Sequence, residues 1–333
     1  MKFSLRVIFS LVIATGLLAP SPASAAPNLI EIQARVRDLE TQATTAAEGA
    51  QEAKVQLARL KKTLDSVQQQ ASQQGASVAE LNKSIGAIAA EQYKSGPLSK
   101  SLELLFSSDP AQYLSTAGSL EAVTRQKTID LKKFSVATQR LNATSLTLSD
   151  KLALVKAAEA RFKKQQDIAN AKLAEAEALL KKLTAAERER LAKLNEDEEN
   201  ADQQRSLADA GKYSGLSGRG GAAIKYALEQ IGDKYVFGAD GMTTWDCSGL
   251  TMRAFRTAGV SLPHSSRAQY GYGKAIAKKD LQPGDLVFFG KPISHVAIYL
   301  GPDRMLHAPR KGSQVKIANM NMGKKPYIGA RRL

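Results

Sequence analysis

The chain of 333 residues contains a single cysteine, Cys247, and this scarcity limits what the protein can be. One cysteine cannot form an intramolecular disulfide, so no covalent cross-link holds the fold together. A free thiol in an oxidising compartment is a chemical liability unless it is deeply buried or used in catalysis. Two interpretations of Cys247 therefore stand at the outset, a small buried core residue or a nucleophile.

The sequence also lacks an apolar run of the ~20 residues that span a bilayer. The apolar run at 7–19 follows a basic start and precedes Ala23-Ser24-Ala25, which fits the small-x-small rule of signal cleavage. A lipid anchor would need a cysteine at the cleavage site, and none is present there. We therefore expect residues 1–25 to be a signal peptide and the mature protein to be secreted, with no membrane span.

Acidic residues are scarce relative to basic ones: 47 Lys and Arg face 32 Asp and Glu, for a formal net charge of +15. Most of the excess lies in residues 221–333, which hold 17 basic and 7 acidic side chains. A basic surface suits an anionic partner, and a merely solvated surface explains the charge equally well. No nucleic-acid-binding motif is visible, and an exported chain is a poor candidate for that partner, so nucleic acid is not expected.

Prolines are rare in residues 28–211, where only Pro97 and Pro110 occur. This composition favours long helices, and the apolar residues of the first stretch follow a heptad. Its steps of four and three residues run through Ile32, Val36, Leu39, Ala43, Ala46, Ala50, Ala53, Leu57, Leu60, Leu64, Val67, Ala71, Gln74, Val78, Leu81, Ile85 and Ile88. Because this seam is rich in alanine, we expect the helix to depend on packing against a partner helix.

A second periodic stretch runs from about residue 120 to beyond residue 194, with a shift of register that a stutter would produce. Gly96 and the two prolines interrupt the helix between the two stretches, and the apolar residues there predict one or two short helices. Residues 26–209 are therefore predicted to form an antiparallel coiled-coil hairpin, with short helices at its tip at about 95–118. The leucines of this predicted tip either cap the core of the hairpin or form a docking surface for a partner protein.

The composition changes after the hairpin. Residues 210–221 are rich in Gly and Ser, which predicts a flexible linker. Aromatics, prolines and short β-branched runs follow, and they are typical of an α+β domain at 222–333. Helices are expected at 222–230 and from Cys247 to 258. Antiparallel strands are expected at 285–289, 295–300 and 304–307, with later ones around 315–317 and 328.

Three residues of this domain suit amide hydrolysis. Cys247 begins a helical run, where free backbone N–H groups and the helix dipole favour a thiolate and can stabilise an oxyanion. His295 opens a strand and His307 ends the next one. The two histidines share one face of the sheet if the connecting loop is odd in length, and lie on opposite faces if it is even. In the first case His295 serves as the base and His307 orients its imidazole.

The third histidine, His264, follows Leu262-Pro263 and is expected to be structural or to line the substrate site. Cys247 and the histidines have none of the spacings that are usual for metal ligands. Neither a metal ion nor another cofactor is therefore predicted.

Six motifs of the C-terminal region carry a family resemblance. They are Tyr235-Val-Phe-Gly-Ala-Asp-Gly241, Trp245-Asp-Cys-Ser-Gly-Leu250, Leu262-Pro-His-Ser-Ser266 with Gln269, Leu281-Gln-Pro-Gly-Asp-Leu-Val-Phe-Phe289, Ser294-His-Val-Ala-Ile-Tyr-Leu-Gly301 and Met305-Leu-His-Ala-Pro309. In this order they resemble the NlpC/p60 cell-wall peptidases over nearly all of residues 221–333. The chain departs from the family pattern at Lys234, Phe237 and Ala239, which affects the substrate pocket and leaves the reaction intact.

The resemblance implies a papain-like fold and a cysteine peptidase of the peptidoglycan D,L-endopeptidase type, associated with the cell wall. Such enzymes cut stem peptides, often between D-γ-glutamate and a diamino acid. The catalytic set maps onto Cys247, His295 and His307. Oxyanion and substrate-binding roles map onto Tyr235, Asp246, Ser248, Ser265 and Ser266, for which a purely structural role stays open.

The N-terminal arms resemble the coiled-coil arms of wall hydrolases that act in cell division or growth. In those relatives the arm docks on the extracellular part of the FtsEX complex and can hold the catalytic domain inactive until it is engaged. The resemblance implies that Leu104, Leu105 and Phe106 at the tip make such a contact here.

Two other functions stay open. The first is a non-catalytic wall-binding scaffold that activates another hydrolase, against which the presence of all three catalytic residues argues. The second keeps the fold and changes the reaction, to acyl transfer or to hydrolysis of another wall-associated amide.

Overall fold

A computed structural model describes residues 28–95 and 110–333, and long helices make up the first part of the chain. Helix α1 spans Leu29–Ser95, α2 spans Pro110–Lys181 and α3 spans Ala185–Ala210. The ion pairs Arg35–Glu175 and Lys61–Glu159 show that α1 and α2 run antiparallel. At 1.5 Å per residue, the 67 residues of α1 are about 100 Å long.

The alanine-rich seam joins α1 to α2, as the heptad predicts. Val36 and Leu39 pack against Ala176, and Ala46 packs against Ala169 farther along. Beyond residue 53 no described side chain of α1 is buried, so the packing that stabilises the pair is concentrated near its base. The predicted antiparallel helical hairpin is confirmed.

The second arm differs from the single periodic stretch that the sequence predicts. Helix α2 ends at Lys181, and α3 starts at Ala185 behind a capping box. The Thr184 hydroxyl accepts a 3.2 Å hydrogen bond from the Glu187 amide, and the Glu187 carboxylate accepts one from the Thr184 amide. This Thr-x-x-Glu pattern is a recognisable helix start, and it overrides the heptad continuity across it.

The predicted tip of the hairpin lies largely outside the described residues, and Leu104, Leu105 and Phe106 are among those not described. Within the predicted tip region of 95–118, α2 already runs from Pro110. Proline suits the first turn of a helix because its missing N–H has no helical acceptor there.

The predicted linker at 210–221 contains regular structure. A 3₁₀ turn covers Gly211–Tyr213, and helix α4 spans Gly218–Leu228. The glycines allow close packing: a Cβ on Gly220 would lie only 2.9 Å from the Cα of Gly284. The glycine content here therefore reflects two backbones in contact, which a sequence does not distinguish from flexibility.

The C-terminal domain is built on a six-stranded sheet. Its strands are β3 Lys274–Ile276, β4 Leu286–Phe289, β5 His295–Gly301, β6 Arg304–His307, β7 Lys316–Asn319 and β8 Tyr327–Arg332. They form an antiparallel sheet in the order β3-β8-β4-β5-β6-β7. A separate parallel pair is formed by β1 Lys234–Tyr235 and β2 Thr244–Trp245. Helix α5 spans Cys247–Thr257 and α6 spans Ser266–Gln269.

Alternate residues of the central strands point to two apolar clusters, as the two-residue period of a strand requires. Phe288, Val296 and Ile298 belong to the main core, together with residues of α4 and α5. Phe289 and Ala297 belong to a second cluster on the opposite face. The predicted α+β domain with an antiparallel sheet is confirmed, whereas β1, β2 and β3 were not predicted because each has only two or three residues.

None of the helices in residues 28–95 and 110–333 is long and apolar enough to cross a membrane.

Helix α3 covers the exposed edge of the sheet at β7. The Ser206 hydroxyl accepts a 3.0 Å hydrogen bond from the Ile317 amide. Glu199 accepts bonds of 3.1 Å from the Gln314 amide and 3.0 Å from Lys316 Nζ. An unpaired edge strand leaves its amides unsatisfied, so α3 completes the sheet and belongs structurally with the C-terminal domain.

Replacing Ser206 by Ala removes the acceptor and leaves the buried Ile317 amide without its partner. We expect the free energy of unfolding to fall by about 1–3 kcal/mol. Urea unfolding of the full chain, followed by the fluorescence of the single tryptophan Trp245, measures this loss. The matched control is Ser214→Ala, whose exposed hydroxyl bonds only the Gly211 carbonyl. Equal stability of the two variants would contradict the role of α3.

Candidate active site

Cys247 is the first residue of α5, and local contacts fix it there. Asp246 is the N-cap, and its Oδ1 accepts a 2.6 Å hydrogen bond from the Gly249 amide. Only glycine fits at that position, because a Cβ would overlap the carbonyl oxygen of Ala239. The first-turn amides of Cys247 and Ser248 have no helical acceptor, so they are available to stabilise an oxyanion.

His295 and His307 lie on the same face of the sheet. The β5–β6 loop between them has two residues, an even number, which by itself would place them on opposite faces. A bulge between Tyr299 and Gly301 adds one residue to β5 and restores the register of an odd loop. As a result, Nε2 of His295 lies 2.8 Å from Nδ1 of His307.

Both imidazoles are held in the neutral form. Burial, followed by the charges of His307 and Lys325, holds the pKa of His295 well below its ordinary value. Burial also lowers the pKa of His307 to about 3. One of two neutral rings must donate to the other, and a proton on Nε2 of His295 leaves its Nδ1 as an acceptor. Among the described residues this Nδ1 has no hydrogen-bond partner, as a general base requires.

Cys247 lies beside the strand that carries His295. Its thiol interacts with the backbone N–H of Val296, the residue after His295. The N-terminus of α5 and the start of β5 therefore bring the sulfur and the histidine pair to one place. This arrangement brings together the three residues that the sequence predicts to be the nucleophile, the base and the orienting group.

The Asp246 carboxylate is fully buried and occupied by donors. Besides Gly249, the Gly238 amide donates to it at 2.9 Å, and Nε2 of His264 lies 2.8 and 2.9 Å from its two oxygens. Burial lowers the pKa of His264, but the hydrogen bond and charge of Asp246 outweigh it and raise the pKa above its ordinary value. The contact with Asp246 gives His264 a structural role, one of the two that were expected.

A side chain of α1 occupies the space beside the nucleophile. Glu48 is 2% exposed, and its Oε1 lies 3.3 Å from Sγ of Cys247. The same oxygen accepts a 2.8 Å bond from the Ser248 hydroxyl. Oε2 accepts bonds of 2.9 and 2.6 Å from the amide and hydroxyl of Ser266. The carboxyl group of Glu48 therefore occupies the space directly beside the sulfur.

Glu48 also favours the thiol over the thiolate. Burial raises the pKa of Cys247 well above its ordinary value, and the charges of Glu48 and Asp246 raise it further. Burial and the charge of Asp246 raise the pKa of Glu48 itself, against the hydrogen bonds from Ser266 and Ser248. Because the docked pKa of Glu48 exceeds the free one, the contribution of Glu48 to docking is fully present at low pH and is lost as pH rises through the raised pKa.

Ion pairs flank Glu48 on the same helix. Glu40 pairs with Arg310 at 2.9 Å, and Glu52 pairs with Arg267 of α6. Glu40 lies about two helical turns before Glu48 and Glu52 lies about one turn after it, on the face of α1 that meets the C-terminal domain. The three contacts hold α1 across the candidate active site.

The other predicted site residues differ in position. Tyr235 is buried close to Cys247 and to Thr44 of α1. Ser248 and Ser266 contact Glu48, as described above. The Ser265 hydroxyl caps α6 by accepting a 3.3 Å bond from the Ala268 amide, which is a structural role.

Sequence reasoning missed Glu48. It lies between Ala46 and Ala50 of the seam, where an acidic residue is typical of a solvated helix face. Its partner Ser248 is 200 residues away along the chain, so no local pattern connects them.

Comparison with known proteins identifies the C-terminal region. Residues 232–332 match the model of the NlpC/P60 family. A probable endopeptidase of Mycobacterium tuberculosis is 41% identical over 118 residues, which cover 35% of this chain and 30% of the relative. The probable endopeptidase p60 of Listeria monocytogenes is 45% identical over 100 residues, covering 29% of this chain and 20% of that protein.

A solved NlpC/P60 family protein from Bacillus cereus is 32% identical, with a TM-score of 0.33, and covers 34% of this chain and 39% of that one. The chain thus spans about a third or less of the curated relatives named above.

Replacing Glu48 by Gln keeps the size of the side chain and removes its charge. We expect the pKa of Cys247 to fall and the thiol to react faster with iodoacetamide, measured as alkylation rate against pH on the full chain. The matched control is Glu52→Gln, one turn along α1, which should leave the midpoint unchanged. Equal shifts in both variants would show that loosening of α1, and not the charge of Glu48, controls the thiol.

Proposed function

Residues 232–332 form an NlpC/P60 family domain, and on that basis we propose that the protein is a peptidoglycan endopeptidase of the cysteine type. It hydrolyses amide bonds in stem peptides, between D-γ-glutamate and the diamino acid. The observation that carries the proposal is the hydrogen-bonded pair of His295 and His307 at the strand beside the Cys247 thiol. A scaffold without activity would have no need of an unpartnered imidazole nitrogen at that place.

In the proposed reaction, Nδ1 of His295 takes the proton of the Cys247 thiol. The sulfur then attacks the scissile carbonyl carbon, and the developing oxyanion is met by the first-turn amides of α5 and by the Tyr235 hydroxyl. His295 returns the proton to the leaving amine as the C–N bond breaks. Water, deprotonated by the same ring, hydrolyses the thioester and releases the free carboxylic acid.

His307 acts through His295. A hydrogen bond from Nε2–H of His295 to Nδ1 of His307 fixes the tautomer of His295. In this tautomer Nδ1 of His295 carries no proton and has no other hydrogen-bond partner among the described residues. The imidazolium formed during the reaction keeps this bond and is stabilised by it. His307 is therefore the orienting residue of the set.

We also propose that α1 inhibits the domain when it is docked. Two effects support this: Glu48 fills the approach to the sulfur, and its charge opposes formation of the thiolate. A substrate therefore needs α1 to move away before it can reach Cys247. We assign that movement to a partner at the hairpin tip, the extracellular part of the FtsEX complex, and we place the protein outside the cytoplasm at the wall.

Charge reversal on α1 should release the block in the full chain. In the variant Glu40→Arg with Glu52→Arg, called the released variant below, arginines face Arg310 and Arg267. Like charges in an interface cost several kcal/mol, so we expect muropeptide cleavage at least about tenfold faster than for the wild type. Mass spectrometry of the products measures the rate and identifies the bond.

Two controls accompany this test. Asp65→Arg with Glu80→Arg makes the same change of charge on exposed positions of α1 and should leave the rate at the wild-type level. Adding Cys247→Ala to the released variant should abolish cleavage. A folded released variant without activity would instead support the non-catalytic scaffold.

The two histidines should differ in importance. In the released variant, we expect His295→Ala to lower kcat by roughly 10²-fold or more, because the general base is lost. His307→Ala should lower it less, since an orienting residue acts through the base. Single-turnover cleavage of muropeptides compares the two, with circular dichroism to check folding. The opposite order would mean that their roles are exchanged.

A further inference from the structure

Lys325, in the loop between β7 and β8, is a buried cation that the proposed mechanism does not use. Its side chain belongs to a residue only 8% exposed. Within residues 28–95 and 110–333, no carboxylate or other acceptor lies within hydrogen-bond or ion-pair distance of its Nζ. Its Nζ is not one of the fully buried unpartnered atoms of the described residues, so the ammonium reaches solvent at the surface of the protein and is open to an anionic ligand.

The loop that carries Lys325 is held rigidly beside the active site. The Pro326 carbonyl accepts a 2.9 Å bond from the Gly290 amide, in the turn that leads to His295. The Lys325 amide donates to the Met322 carbonyl at 3.2 Å. The position of the side chain is therefore set by the same turn that positions the catalytic histidine.

Lys325 lines a cleft of about 480 Å³ between α1, α2 and the C-terminal domain. On the side of the C-terminal domain three further lining residues are basic, namely Arg267, Lys291 and Lys324, whereas Arg161 and the acidic Asp38 belong to the hairpin. Ser294, next to His295, also borders it, so the cleft opens directly beside the catalytic centre. Its charge suits an anionic ligand.

The groups that influence Lys325 include the nucleophile and the blocking carboxyl. Burial lowers the pKa of Lys325, and the charges of Cys247 and Glu48 oppose that shift. Lys325 in turn lowers the pKa of both catalytic histidines. Cys247 and Glu48 are thus the groups whose charges act on Lys325 when α1 is docked, and Glu48 leaves when α1 moves away.

We propose that Lys325 is a specificity-determining residue that binds a carboxylate of the stem peptide once α1 has left. The inference rests on the proposed function and adds a ligand to it. A stem peptide cut at a γ-glutamyl bond carries a free α-carboxylate on the same D-glutamate whose γ-carbonyl is attacked, and meso-diaminopimelate in the stem carries one more. A carboxylate there gives the ammonium the partner that it lacks.

The test uses two versions of a synthetic peptide, L-Ala-γ-D-Glu-meso-diaminopimelate-D-Ala, with either a carboxylate or a carboxamide on D-glutamate. A second pair varies the diaminopimelate carboxyl in the same way, so the two pairs distinguish which carboxylate is bound. The enzyme is the full-length released variant, and kcat/KM is measured by mass spectrometry. We expect a preference of about tenfold for the carboxylate in one of the two pairs.

Lys325→Met keeps the length of the side chain and removes its charge. It should reduce that preference, which is a ratio of two kcat/KM values, to about twofold or less, whatever its effect on cleavage of the carboxamide peptide. The matched control is Lys279→Met, an exposed lysine that does not line the cleft, and it should retain the preference. A merely structural role of Lys325 would lower cleavage of both peptides equally, and that result overturns the proposal.

Binding separates this inference from the proposed function. Calorimetry with the released variant carrying Cys247→Ala compares the same peptides without cleavage. Tighter binding of the carboxylate peptide, lost in Lys325→Met, supports Lys325 even if no peptide is hydrolysed. Equal affinity for both members of each pair refutes it whatever the activity.

Discussion

The burial of the Glu48 carboxyl group beside Cys247 is the contact on which the arrangement of the whole chain depends. It joins a helix of the N-terminal hairpin to the nucleophile, and four hydrogen bonds compensate for its removal from water. A buried acid of this kind is stable only while its donors stay in place. The packing of α1, the first turn of α5 and the N-terminus of α6 are therefore linked through one side chain.

Helices α3 and α1 are attached to the C-terminal domain in different ways. Helix α3 completes the sheet edge at β7 through Ser206 and Glu199, and those contacts are part of the fold of the C-terminal domain. Helix α1 meets the same domain through Glu48 and through the ion pairs Glu52–Arg267 and Glu40–Arg310. The break at Thr184 lies between α2 and α3, so the hairpin has a defined end where one helix stops and another begins. This break agrees with the proposal that α1 and α2 move together while α3 stays on the sheet edge.

The active site and the cleft share one electrostatic logic. The histidine pair is kept neutral by burial, and Lys325 nearby strengthens that effect. The positive charge of Lys325 favours the thiolate of Cys247, whereas the charge of Glu48 opposes it. Docking of α1 therefore reverses the electrostatic conditions that the proposed reaction needs, in addition to blocking access.

The sequence predicted the long helices, the α+β domain and the candidate set of Cys247, His295 and His307, because heptads, strand periodicity and ordered motifs are local patterns. It did not predict the bulge that gives an even loop the register of an odd one, nor the helix start at Thr184, although that start had a readable capping signal. The burial of Glu48 and Lys325 is visible in the tertiary structure alone. An acidic residue on a helix and a lysine in a loop are residues that usually lie on the solvated surface of a protein. Their burial is set by chain segments some 200 residues apart in sequence for Glu48, and such contacts leave no local trace.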